Sequence, residues 1–138
     1  GGVYQVTQGQ GCYHWSLVLE LTHVTKITNA ADGLLLVVRA ADDASPVELQ
    51  RWQPGQPPQQ LATLEDNPLY VANNPYLAAE EGVFVWLEND ELQLITGGQV
   101  SHLGQGPGDE YDIMITGGDA GRPQLFLAHK EGLARYRR

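Results

Sequence analysis

Two continuous apolar runs of strand length, Leu34-Leu35-Leu36-Val37-Val38 and Val83-Phe84-Val85-Trp86-Leu87, dominate this chain. Their β-branched and aromatic content favours extended backbone, and an apolar side chain at every position demands cover on both faces. Both runs therefore read as central strands. Tyr111 to Thr116 and Gln124 to Ala128 have the same character, while Val47 to Gln50 and Glu91 to Leu94 alternate as half-buried strands do. Turn chemistry separates them at Ala41 to Pro46, Pro54-Gly55, Glu88 to Asp90, Gly97-Gly98, Gly117 to Asp119 and Glu131-Gly132. One helical turn is expected at Asn74 to Glu80, with Asn74 as N-cap and Pro75 in the first position. No 3.6-residue apolar pattern runs beyond two turns. The expected class is all-β, built of consecutive antiparallel meanders in one domain over residues 1–138.

A chain of 138 residues with 42% apolar content should bury roughly two-thirds of its unfolded surface, so it needs no metal or disulfide to fold. Cys12 is the sole cysteine. It excludes an intrachain disulfide and a cysteine zinc cage, and is expected to be a small buried hydrophobe. The apolar run from Ser16 to Leu21 is interrupted by Glu20 and is too short for a signal core or a membrane span. A start at Gly1-Gly2 without Met fits a processed end, and the expected compartment is the periplasm or the exterior. Two Lys against six Arg suggest a bacterial source.

Charge is segregated along the chain. The formal net charge is −9, with 17 acidic residues against 8 basic ones. From Trp52 to Gly121 there are eleven carboxylates and no Lys or Arg, whereas five of the basic residues lie between Arg122 and Arg138. An acidic surface opposes phosphate backbones and anionic lipids, so neither nucleic acid nor membrane insertion is expected. It favours a protein with a basic surface, because complementary charge speeds encounter.

The strands also recur in units. Thr25-Lys26-Ile27-Thr28, the run from Leu34, Val47 to Trp52 and Gln59 to Leu64 form one. Tyr76 to Ala79, the run from Val83, Glu91 to Ile95 and Val100 to Leu103 form the next. Asp112 to Ile115, Gln124 to Ala128 and Leu133 to Tyr136 form a third, so the units span about 25–64, 75–104 and 111–138. This pattern resembles the four-stranded blades of a β-propeller, without the Gly-His…Trp-Asp or kelch signature. Propellers close with roughly four to eight blades. Three units therefore imply an open stack or a two-sheet sandwich, or else pairing between chains as a homodimer. Val3 to Thr7 is a candidate to complete the third unit.

Catalytic signatures are missing: no Gly-x-Ser-x-Gly elbow, His-Glu-x-x-His, phosphate loop or dinucleotide fingerprint occurs. His14, His23, His102 and His129 are scattered, and Ser101 and His102 point to opposite faces of a strand. Carboxylate pairs are so common here that they select no glycosidase site. Gly108 to Asp112 and Gly117 to Asp119 miss the spacing of a calcium loop. Neither enzyme activity, cofactor nor metal is expected.

The expected function is a non-enzymatic acidic binding protein, of the inhibitor or immunity type that caps a basic enzyme. Glu88, Asp90, Glu91, Asp109, Glu110 and Asp112 are the expected contact carboxylates. Trp52, beside the Pro54-Gly55 turn, and Tyr76, beside Asn73-Asn74-Pro75, are the expected aromatic anchors. Trp86, inside an apolar strand, is expected in the core. The alternative is a lectin-like carbohydrate or small-ligand binder that uses stacked aromatics.

Overall fold

Hydrogen-bonded meanders account for all the regular structure in the computed structural model, which describes residues 1–30, 32–39, 46–74, 82–106, 111–119, 122–129 and 132–136. The side chains of residues 73, 74, 111–119, 122–124, 127, 129 and 132–136 are not described. Strands β1 (Gly2–Gly9) and β2 (Cys12–Glu20) make a hairpin, here sheet 1. Sheet 2 holds β3 (Val24–Asn29), β4 (Leu34–Arg39), β5 (Val47–Trp52) and β6 (Gln59–Leu64) in sequential order. Sheet 3 repeats that order with β7 (Pro68–Asn74), β8 (Gly82–Leu87), β9 (Glu91–Thr96) and β10 (Gln99–Gln105). Sheet 4 has β11 (Tyr111–Asp119), β12 (Arg122–His129) and β13 (Gly132–Tyr136). Each pairing is antiparallel, and no helix occurs among the described residues. The all-β meander class is the one expected, with four sheets in place of the two of a sandwich.

The sheets pack face to face in chain order, which explains the two apolar runs. In β4, Leu35 and Val37 join Leu49 of β5 and Val83, Val85 and Leu87 of β8 in one cluster between sheets 2 and 3. Leu36 points the other way and meets Val3 and Trp52 under the hairpin. In β8, Phe84 and Trp86 likewise turn toward Leu125 of sheet 4. Alternation along one strand thus feeds two cores, and every residue of β8 is buried. Each such side chain contributes roughly 1.5–3 kcal/mol when fully buried. Between successive sheets the first strands come closest, β3 to β7 and β7 to β11.

Several local expectations shift. Strand β5 keeps its alternation, but Leu92 to Ile95 of β9 are all buried, because sheets 2 and 4 cover both its faces. The second unit begins at Pro68 rather than Tyr76: Tyr70 pairs across from Trp86, and the rings stack with centroids 5.7 Å apart. Asn74 ends β7, and the helical turn expected from Asn74 to Glu80 lies at residues 75–80, outside those described. Gly117 to Asp119 continue the ladder to Asp119↔Arg122, so the expected turn there is strand. Val3 to Thr7 pair with β2, not with sheet 4, and the described sheets form no closed ring.

Gln10 and Gly11, with φ of 47° and 82°, place both central residues of the β1–β2 turn in the left-handed region. That geometry matches the right-handed strand twist in a two-residue hairpin. Cys12 is exposed beside this turn, not buried, because the hairpin runs out past the core.

Candidate interaction surface

Two turns gather acidic side chains at one end of sheet 3. The Glu88 N–H donates to the Asn67 carbonyl at 2.8 Å, holding the β8–β9 turn against the β6–β7 turn, so that Glu65 and Asp66 join Glu88, Asp90 and Glu91. These carboxylates divide by what they touch. Asp90, at φ 68°, accepts from the indole Nε1 of fully buried Trp86 at 2.9 Å, and its carbonyl accepts from the Gly106 N–H at 2.6 Å. Glu91 accepts from the buried amide of Gln93 at 3.3 Å and pairs with His102. Glu65 and Glu88 are exposed.

Three of the six expected carboxylates are thus brought together, and Asp90 and Glu91 serve the fold as well as the surface. Asp109, Glu110 and Tyr76 lie outside the described residues, and for Asp112 only its place in β11 is described. Trp52 is 6% exposed, packed with Val3 and Leu36. It is core rather than an exposed anchor, because the hairpin folds over the end of β5. Trp52 also helps line a cleft of about 570 Å³ between hairpin and sheet 2, with Tyr4, Gln5, Leu34 and Pro54.

The Glu91 carboxylate, by hydrogen bond and charge, raises the His102 pKa above its ordinary 6.5, and Glu65 adds to the effect. A raised histidine stabilises the fold fully below the unfolded value and loses that contribution as pH climbs through the folded value. Wild type should therefore melt above His102→Gln at about pH 5.5, below the ordinary histidine value, and the gap should shrink as pH rises beyond it. Because His102 is exposed, added salt should narrow the gap at the lower pH. A gap that widens with pH would contradict the assignment.

Sequence reasoning overlooked the most prominent exposed apolar feature among the described residues. Beyond its base the hairpin presents Tyr4, Val6, Tyr13, Trp15 and Leu17 to solvent, with Trp15 72% and Tyr13 67% exposed. Register puts them on one face, since Tyr4 lies opposite Leu17, Val6 opposite Trp15, and Gln8 opposite Tyr13. The other face carries Gln5, Thr7, His14 and Ser16. Alternation from Tyr13 to Leu17, echoed by Tyr4 and Val6 before the Gln10-Gly11 turn, was the available signal.

No family model, curated protein or solved structure matches the chain. Function must therefore be argued from these surfaces. Among the described residues, no three His, Cys, Asp or Glu side chains group as a metal site would require, and no helix is long and apolar enough to cross a membrane.

Proposed function

We propose that this chain is a non-enzymatic binding protein whose acidic end engages a basic protein surface, in the manner of an inhibitor or immunity protein that caps an enzyme. The supporting observation is the abutting of the β6–β7 and β8–β9 turns, which concentrates Glu65, Asp66, Glu88, Asp90 and Glu91 at one end of the stack. Asp90 and Glu91 are tied to Trp86, Gln93 and His102, so this acidic platform is held in place before a partner arrives. Preorganised charge acts mainly on the rate of encounter, which falls with ionic strength. The successive meanders, with their first strands closest, are read as propeller-type blades in an open stack.

The test is affinity capture followed by kinetics with the captured protein. Glu65→Gln, Asp66→Asn and Glu88→Gln together, which leave Asp90 and Glu91 intact, should slow association about tenfold at low salt and little at high salt. A captured partner indifferent to all three changes would refute the reading.

A second reading, a carbohydrate or small-ligand binder, draws on the cleft beside Tyr4, Gln5 and Trp52. Its volume of about 570 Å³ falls in the range of small-molecule sites. Tryptophan fluorescence that changes saturably with a glycan, and is lost in Gln5→Ala, would favour it over the first.

A further inference from the structure

From the apolar face of the β1–β2 hairpin we infer that a second copy of this chain docks there, hairpin against hairpin about a two-fold axis. The central strands β8 and β9 are covered on both faces, whereas the hairpin is covered only at its base, by the cluster of Val3, Leu36 and Trp52. What it leaves open is a row of alternating side chains of the kind that packs between sheets elsewhere in the chain.

Charge selects the occupant. Residues 1–19 contain no Asp, Glu, Lys or Arg, the longest such span in a chain of net charge −9. Copies of an acidic protein repel one another through most of their surface, and this hairpin is where they meet with least charge opposed. A strongly basic partner, by contrast, gains nothing from an uncharged face and is drawn to the acidic end of sheet 3. The two surfaces are separate in composition, so self-association neither requires nor prevents the binding proposed above.

A two-fold contact needs a self-complementary patch. Here Trp15 and Val6, opposite each other, flank the middle of the row, with Tyr4 and Leu17 toward the base and Tyr13 toward the tip. Three partly exposed aromatics and two aliphatics offer on the order of 400–500 Å² per copy, given the 150–250 Å² an aromatic side chain can bury. Doubled, that lies at the low end of specific interfaces, below about 1,200 Å² in total. The dimer is therefore weak, and apolar contact gives it a distinctive salt response: screening of the net charge strengthens it.

Sedimentation velocity on the full chain, from about 5 to 500 µM and at low and high salt, tests this. Wild type should pass from the mass of one chain to that of two with rising concentration, at lower concentration when salt is raised. Trp15→Ser with Tyr13→Ser should remain monomeric throughout while keeping the wild-type far-ultraviolet spectrum. The milder Val6→Thr should shift the midpoint several-fold upward and guards against misfolding of the double variant. A wild type that stays monomeric to the highest concentration, a dimer that dissociates in salt, or a dimer indifferent to these substitutions would each overturn the proposal.

Discussion

Trp86→Ala should cost about 3–5 kcal/mol, the usual loss for a large aromatic removed from a packed core, and that is a large part of what a domain of this size possesses. The indole is fully buried, stacks on Tyr70 and contacts the cluster that includes Phe84 and Leu125, so no water can replace it. Trp86→Phe separates packing from hydrogen bonding: it keeps an aromatic ring beside Tyr70 but removes the donor to Asp90. It should cost less than alanine, yet still about 1–3 kcal/mol, because the half-buried carboxylate loses a partner. Asp90→Asn keeps an acceptor and a residue type tolerant of φ 68°, so it should be milder than Asp90→Ala. Urea unfolding would rank the four variants. Equal costs for Asp90→Asn and Asp90→Ala would show that the indole contact contributes nothing.

The second large effect is expected at Gly33, immediately before β4. A Cβ there would lie 2.2 Å from the Trp52 carbonyl oxygen and 3.1 Å from its carbonyl carbon. Backbone of a paired strand cannot retreat as a flexible side chain can, so Leu34 would have to move away from Trp52, its partner in β5. Gly33→Ala should cost about 1–3 kcal/mol by the usual scale of overpacking, and Gly33→Val more. Since Trp52 also supports Val3, hairpin amides should exchange faster in the same variant. Stability within about 0.5 kcal/mol of wild type would mean the strands part at that corner without loss.

Local pattern made the strand class legible because it is written twice, in the runs from Leu34 and Val83 and in turns such as Gly97-Gly98, whose φ values of 57° and 77° are left-handed. The helix-start signature at Asn74-Pro75 falls on residues 75–80, outside those described, while the strand that ends at Asn74 is decided by Tyr70 and Ala72 packing within sheet 3. Asp90 read as a partner-contact carboxylate in a turn; only the fold returns it to the indole four residues earlier. Burial of Gln93 was hidden for a similar reason, since β9 alternates in sequence but is covered on both faces in space. Trp52, expected as a displayed anchor, is buried, and Trp15, to which the sequence assigned no role, is displayed. Which tryptophan is covered depends on where the hairpin lands, and that is a property of the whole stack.

Sequential stacking also bears on how the chain acquires its structure. Each sheet is made of strands adjacent in sequence, and each leans on its neighbours in chain order. Such an arrangement behaves almost as a one-dimensional array, with cohesion summed over neighbouring pairs. Loop closures stay short, which favours quick assembly for a β protein. Sheet 2 can be complete before sheet 3 is formed, and the hairpin has its dock as soon as β4 and β5 are in place. The array then has a tight middle around β8 and a looser end at the hairpin. Partial opening therefore begins at the hairpin, so that proteolysis under native conditions should find β1 and β2 well before it reaches β8.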